Sequence, residues 1–296
     1  MTRVDWYDLP YSVRCAVEAE CGLVVGVTTP DGGRNANLIV VLEVQDGRQV
    51  FVKGVQADTA EAAGFRREAA LNPALPAVAP RLLWQVEVDG WLMLGFEYIP
   101  GRHADLSLGS ADLILVADAV SAIARHRAPI PTPELPALAD KITRISAWTR
   151  LGSDPPSNLD PWARANLDRF ADADECAAEW AAGDSLAHTD LHAHNILVND
   201  AAHVVDWSWA HRAAPWIDAA YLVIRLIQNG HGPAQAEQWA ATTECWHTAT
   251  PVALDSFAVG TFGIWEFLRL ARPHPVREAA TAAARRWAQH RLDEQS

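Results

Sequence analysis

The chain has 296 residues, 50% of them hydrophobic and 21% charged, a composition that describes a globular protein with a substantial core and excludes disordered or fibrous classes. Its formal net charge of −13 argues against a nucleic-acid backbone or an anionic membrane as partner and is compatible with a cationic substrate, although such a charge also serves solubility alone. No apolar run reaches the roughly 18 residues of a membrane span and the first residues do not resemble a signal peptide, so a cytoplasmic protein is expected.

Four cysteines, Cys15, Cys21, Cys176 and Cys245, show no Cys-x-x-Cys spacing and are expected as reduced thiols. The first hundred residues read mainly as strands. One is expected over 22–29, followed by a loop over 30–37 that carries Gly32 and Gly33, then strands over 38–44 and 49–55 joined by an Asp46-Gly47 turn. A glycine-bearing turn between strands can fold over phosphates and offer backbone N–H groups. An ordinary hairpin loop fits Gly32 and Gly33 as well. Lys53 is one of two lysines in a chain whose other basic residues are arginines. A compact ammonium on a strand reaches between phosphate oxygens where a guanidinium fork could not; a chance surface lysine is the other reading.

A helix is expected from a cap at Asp58 or Thr59 to about Leu71, stopped by Asn72-Pro73. Phe65, Glu68, Leu71 and Leu75 share one side of it, so Glu68 sits on a partly apolar face and needs a partner. Lys53 is the candidate, with Glu61 as the alternative carboxylate. Strands over 81–88 and 91–98 flank an Asp89-Gly90 turn, and Pro100-Gly101 then interrupts regular structure. Two domains follow, 1–98 and 99–296.

The second domain reads as helical, with helices over 110–127, 138–151, 161 to about 170, 217–228, 234–247, 251–271 and 275–292, and a proline-rich connector over 129–136. Glu266 interrupts an apolar helix, either to pair with Arg269 three residues on or to meet a substrate amine. Asp218 reads as a first-turn acid favoured by the helix dipole.

The most explicit chemistry lies in residues 188–206. Strands over 196–198 and 203–206 enclose the turn 199–202, and pairing symmetric about that turn sets Asn195 opposite Asp206. Two oxygen ligands at the end of a hairpin suit magnesium. Upstream, His188-x-Asp190-Leu191-x-x-x-Asn195 has the spacing of a kinase catalytic loop, in which the aspartate takes the proton of the attacking hydroxyl and the asparagine holds metal. His188, His192, His194 and His203 also admit a transition-metal site, or, for His188, a bracing role in the loop.

Taken together, Lys53, Glu68 and the 188–206 segment resemble the aminoglycoside phosphotransferase and choline kinase-like family. The resemblance implies an α+β, protein-kinase-like bilobal fold with an antiparallel-sheet N-terminal lobe and a mainly helical C-terminal lobe. It implies ATP and Mg2+ as cofactors, a phosphate flap at Gly32 and Gly33, and Lys53 on the phosphates, positioned by Glu68. Adenine would meet the backbone of a hinge at Glu97, Tyr98 and Ile99, Asp190 would be the catalytic base, Asn195 and Asp206 would hold metal, and Asp218, as the alternative to its helix-dipole reading, would support the catalytic loop. The implied activity is transfer of the γ-phosphate to a hydroxyl of a small molecule. An aminoglycoside or another amino-sugar-like cationic compound comes first, with antibiotic resistance as the setting. A kinase of another small alcohol, sugar or non-aminoglycoside antibiotic, and a nucleotide-binding pseudoenzyme, are the alternatives. Thr189 stands where the family often has glycine, and Ala193-His194 replaces a common proline-glycine pair. The oligomeric state is not written in the sequence.

Overall fold

The computed structural model describes residues 3–30, 36–126 and 135–293. Five strands, β1 (Val24–Thr28), β2 (Leu38–Val44), β3 (Gln49–Gln56), β4 (Leu82–Val88) and β5 (Trp91–Glu97), form an antiparallel sheet in the order β1-β2-β3-β5-β4. Alternation along β2 and β3 divides the side chains between two faces. Val40, Leu42, Val50, Val52 and Met93 pack with Val13, Val17 and Cys21 of helix α1 (Tyr11–Cys21). On the other face Val55, Leu94 and Phe96 pack with Ala62, Phe65 and Ala69 of helix α2 (Ala62–Leu71). Lys53 pairs with Leu94 across the sheet and belongs to the α2 face by the same alternation.

Helix α1 is absent from the sequence-based expectation, because it buries only a narrow stripe at four-residue spacing, Val13, Val17 and Cys21, and follows a proline instead of a side-chain cap. Helix α2 begins at Ala62, later than the expected cap at Asp58 or Thr59, since the Thr59 hydroxyl donates to Gln56 O and closes a turn there.

Beyond the sheet, β6 (Arg102–His103) pairs with β8 (Ile196–Val198), which pairs with β9 (Ala202–Val204), and β7 (Ser185–Ala187) pairs with β10 (His211–Ala213). The helices are α3 (Asp112–Arg125), α4 (Leu138–Ile145), α5 (Ala147–Ser153), α6 (Pro161–Ala165), α7 (Ala173–Ala181), α8 (Ile217–Gln228), α9 (Pro233–Ala240), α10 (Pro251–Ala271) and α11 (Pro275–Asp293). The helix expected over 138–151 is broken by Ser146, whose φ of 44° is left-handed. The one expected over 234–247 gives way after Ala240 to a 3-10 turn at Glu244–Thr248.

The chain divides into two compact units. Among the described residues, one comprises those up to His103 together with Leu135 and His194–Trp209; the other comprises Ala104 to His126, Pro136 to Ala193 and those from Ala210 onward. The segment 194–209 joins the first unit through hydrogen bonding. Besides the β6–β8 ladder, Val204 N donates to Val78 O at 2.8 Å and Asn199 Nδ2 to Pro100 O at 2.9 Å. In the second unit α10 carries the core, and the Trp148 indole donates to Val259 O at 2.9 Å because Gly263 leaves room for the ring.

Candidate active site

Within the first unit three charged residues far apart in sequence meet. Lys53 of β3 is 6% exposed and Glu68 of α2 is 2% exposed. The Lys53 ammonium contacts Glu68 Oε2 and lies 3.1 Å from Asp206 Oδ1. The Phe65 and Phe96 rings enclose it, with centroids at 5.0 and 5.5 Å. Burial alone would lower the Lys53 pKa, but the Asp206 and Glu68 carboxylates overcome it and hold the ammonium above its ordinary value. Of the two candidate glutamates it is Glu68 that pairs with Lys53; Glu61 instead stands at the start of α2, where its carbonyl accepts from Gly64 N and Phe65 N. Glu68 also reaches the segment that follows Asp206, since its Oε1 accepts from Trp207 N at 3.1 Å.

Asp206 is the most accessible member, with 34% of its side chain exposed, and its Oδ1 also accepts from the Ser208 hydroxyl at 2.9 Å. The hairpin register differs by one residue from the expected one. Ile196 pairs with Val204, and Asn195 O accepts from Val205 N at 3.0 Å, so Asn195 stands opposite Val205. The cause is the turn, in which Asn199 Oδ1 accepts from Ala201 N and β9 starts at Ala202 instead of His203. A one-residue slip would send Asp206 to the other face. A left-handed φ of 65° at Asp206, a conformation aspartate tolerates, redirects the carboxylate onto Lys53 and Ser208.

One ammonium between two carboxylates leaves this cluster with a formal excess of one negative charge. The hard oxygens of Asn195 and Asp206 at the same hairpin end are the donor chemistry that magnesium takes, so these residues fit that ion. The histidines go elsewhere. The His103 and His194 rings lie edge to face at 4.8 Å, and His203 Nε2 lies 3.3 Å from Asn199 Oδ1. Among the described residues no group of three or more His, Cys, Asp or Glu converges as a metal site.

Asp190 lies in the second unit, in the loop that leaves β7. Its side chain is 35% exposed, and Oδ2 lies 3.9 Å from His192 Nε2. The loop backbone is held throughout. Buried Asp218, in the first turn of α8, accepts from His188 N at 2.8 Å and from Thr189 N at 2.9 Å, while Asp190 N donates to His188 Nδ1 at 3.3 Å. Both readings of Asp218 therefore describe the same residue. Burial pushes its pKa up to about 6, against the two N–H donors. Thr189 has a φ of 60°, and its hydroxyl lies 2.9 Å from Nδ1 of buried His211. On the same face of α8 as Asp218 come Tyr221, whose pKa burial raises, and Arg225, whose guanidinium lies 5.1 Å from the Trp265 ring centroid.

Of the remaining expected site residues, Glu97 ends β5, its N–H donating to Arg81 O and its Oε2 accepting from Arg81 N. Tyr98 and Ile99 follow it without regular structure. Gly32 and Gly33 lie outside the described residues. Glu266 is fully buried; it pairs with Arg269 and accepts from Asp160 N at 2.9 Å, which makes it a structural group. His211 and Ser208 are not signalled by the sequence, since each stands in a short, featureless stretch after Asp206.

A family model described as the phosphotransferase enzyme family matches residues 27–254. No curated protein matches the sequence. Among solved structures the chain is similar to an aminoglycoside phosphotransferase from Alicyclobacillus acidocaldarius, at 15% identity and a TM-score of 0.63, over 96% of this chain and 93% of that one. A thermostable mutant aminoglycoside phosphotransferase in ternary complex with AMP-PNP and hygromycin B matches at 17% identity and a TM-score of 0.65, over 96% and 99% of the two chains. The macrolide 2'-phosphotransferase of Brachybacterium faecium matches at 16% identity and a TM-score of 0.59, over 92% and 98%. At these identities the likeness is one of fold, the kinase-like α+β architecture.

Proposed function

The chain belongs to the phosphotransferase enzyme family, whose model spans residues 27–254, and from that premise we propose that it transfers the γ-phosphate of ATP to a hydroxyl of a small molecule. The observation that carries this reading is the Lys53–Glu68–Asp206 cluster, an ammonium held charged between two carboxylates. Lys53 meets the phosphate oxygens of the nucleotide as a point charge, and Glu68 fixes it. Asn195 and Asp206 would hold Mg2+, which would supply positive charge against the phosphates. Asp190 orients the acceptor hydroxyl and takes its proton as the new P–O bond forms and the bond to the ADP oxygen breaks. Glu97, Tyr98 and Ile99 supply the adenine hinge, and Gly32 and Gly33 the phosphate flap.

The acceptor is an aminoglycoside or another amino-sugar-like cationic compound. The net charge of −13 favours it, and two of the fold relatives are by name aminoglycoside phosphotransferases, one of them bound to hygromycin B. A macrolide acceptor is the second reading, on the name of a third relative. Antibiotic resistance in the cytoplasm is the matching setting. Incubation of the protein with γ-labelled ATP, Mg2+ and a panel of aminoglycosides, macrolides, sugars and choline-like alcohols tests the proposal. Label appears on an amino-sugar acceptor if it is right. Nucleotide binding without transfer to any acceptor contradicts it and leaves a nucleotide-binding module.

A further inference from the structure

The residue before the assigned base is a β-branched threonine in a left-handed backbone conformation, φ 60°. Glycine adopts that region freely, whereas a branched side chain there is strained and persists only where its surroundings fix it. Here they do so twice. Thr189 N–H donates to Asp218 Oδ1 at 2.9 Å, and Thr189 Oγ1 lies 2.9 Å from His211 Nδ1. His211 is 5% exposed and sits on β10 opposite Ala187, the last residue of β7 before the loop. Its backbone thus registers the strand that leads into the loop, and its ring holds the strained residue two positions further on.

We propose that Thr189 and His211 form a positioning pair that orients Asp190 for proton transfer, the side-chain bond doing for threonine what glycine needs no partner to do. The inference rests on the assignment of Asp190 as base. It predicts an effect on turnover that leaves substrate affinity intact, because neither residue is assigned to nucleotide or acceptor. Thr189→Val keeps the shape and removes the hydroxyl; His211→Ala removes the ring. Each lowers kcat per folded molecule on the order of 10- to 100-fold, the scale of a small misplacement of a reacting group, with KM for ATP unchanged. The double variant is no slower than the slower single one, because both remove one bond. In the Thr189→Gly protein, His211→Ala causes a much smaller further drop than it does beside threonine.

The same variants are followed by amide hydrogen exchange, which reads the loop without turnover. Faster exchange at residues 188–190 in Thr189→Val and His211→Ala, with the effect of His211→Ala suppressed in the Thr189→Gly protein, is the expected result. Multiplicative losses of kcat, a loss confined to KM, or an unchanged exchange rate at 188–190 overturns the pair. Absence of phosphate transfer by the unaltered protein, with the exchange pattern as expected, counts against the kinase reading and leaves the pair standing as the device that fixes the loop.

Discussion

Lys53 Nζ lies 3.1 Å from Asp206 Oδ1, a hydrogen bond that spans 153 positions of sequence. With Glu68 on its other side, the ammonium is a buried cation with two counter-ions. Lys53→Met leaves Glu68 buried without its cation, a change expected to destabilise the fold by about 3–5 kcal/mol. Lys53→Arg keeps the charge but not the compact geometry, and is expected to restore little transfer activity. Urea unfolding and phosphate-transfer rates of the two variants check both statements.

Asp218 sets a pH dependence of definite sign. Its carboxyl titrates at about 6 in the fold because it is buried, against an ordinary value of 3.8. The folded protein therefore holds that proton more tightly than the unfolded chain does. The stability this contributes is complete below pH about 4 and is lost as pH rises through about 6, a change of about 3 kcal/mol. Other carboxylates can act in the opposite sense, so the quantity to measure is the difference in unfolding free energy between the protein and Asp218→Asn from pH 4 to 7. That difference is expected to shift against the unsubstituted protein as pH rises; a flat difference contradicts the burial argument.

The proposed magnesium ligands make a separate prediction. Asn195→Ala and Asp206→Asn are expected to raise the Mg2+ concentration for half-maximal transfer on the order of 10-fold or more, the scale seen when metal-site partners are removed. Calorimetric titration of magnesium–AMP-PNP into each variant reads the same loss without an acceptor present.

Gly101 allows a close approach. A Cβ there would lie 2.8 Å from Val198 O and 3.2 Å from Val198 C, backbone atoms of β8 that cannot swing aside. Gly101→Ala is expected to destabilise the protein by about 1–3 kcal/mol through displacement of the hairpin that carries Asn195 and Asp206. Thermal unfolding of this variant beside Gly152→Ala, where a Cβ meets nothing within 4 Å, separates the contact from the general effect of replacing a glycine.

Much of this was legible in the sequence wherever a strong local rule applied. The strand over 38–44 and the helices over 217–228 and 251–271 begin and end where turn residues and prolines put them. Glu68 on an apolar helix face demands a cation, and a chain with only two lysines offers few. Tertiary effects were not legible. The pairing of Asn195 with Val205 depends on where a four-residue turn closes, and spacing alone does not fix that to one residue. Helix α1 buries too narrow a stripe to announce itself. His211 reaches Thr189 only because β10 returns beside β7, a pairing between strands of three residues each.

The most direct test of the account is the rate of phosphate transfer from ATP to an accepted hydroxyl compound by Asp190→Asn, compared with the unaltered protein at equal nucleotide occupancy. The substitution keeps the size of the side chain and removes the proton acceptor. The expected result is a fall in kcat of about 100-fold or more, the weight of a positioned general base, with nucleotide affinity retained. Transfer by Asp190→Asn at the unaltered rate contradicts it.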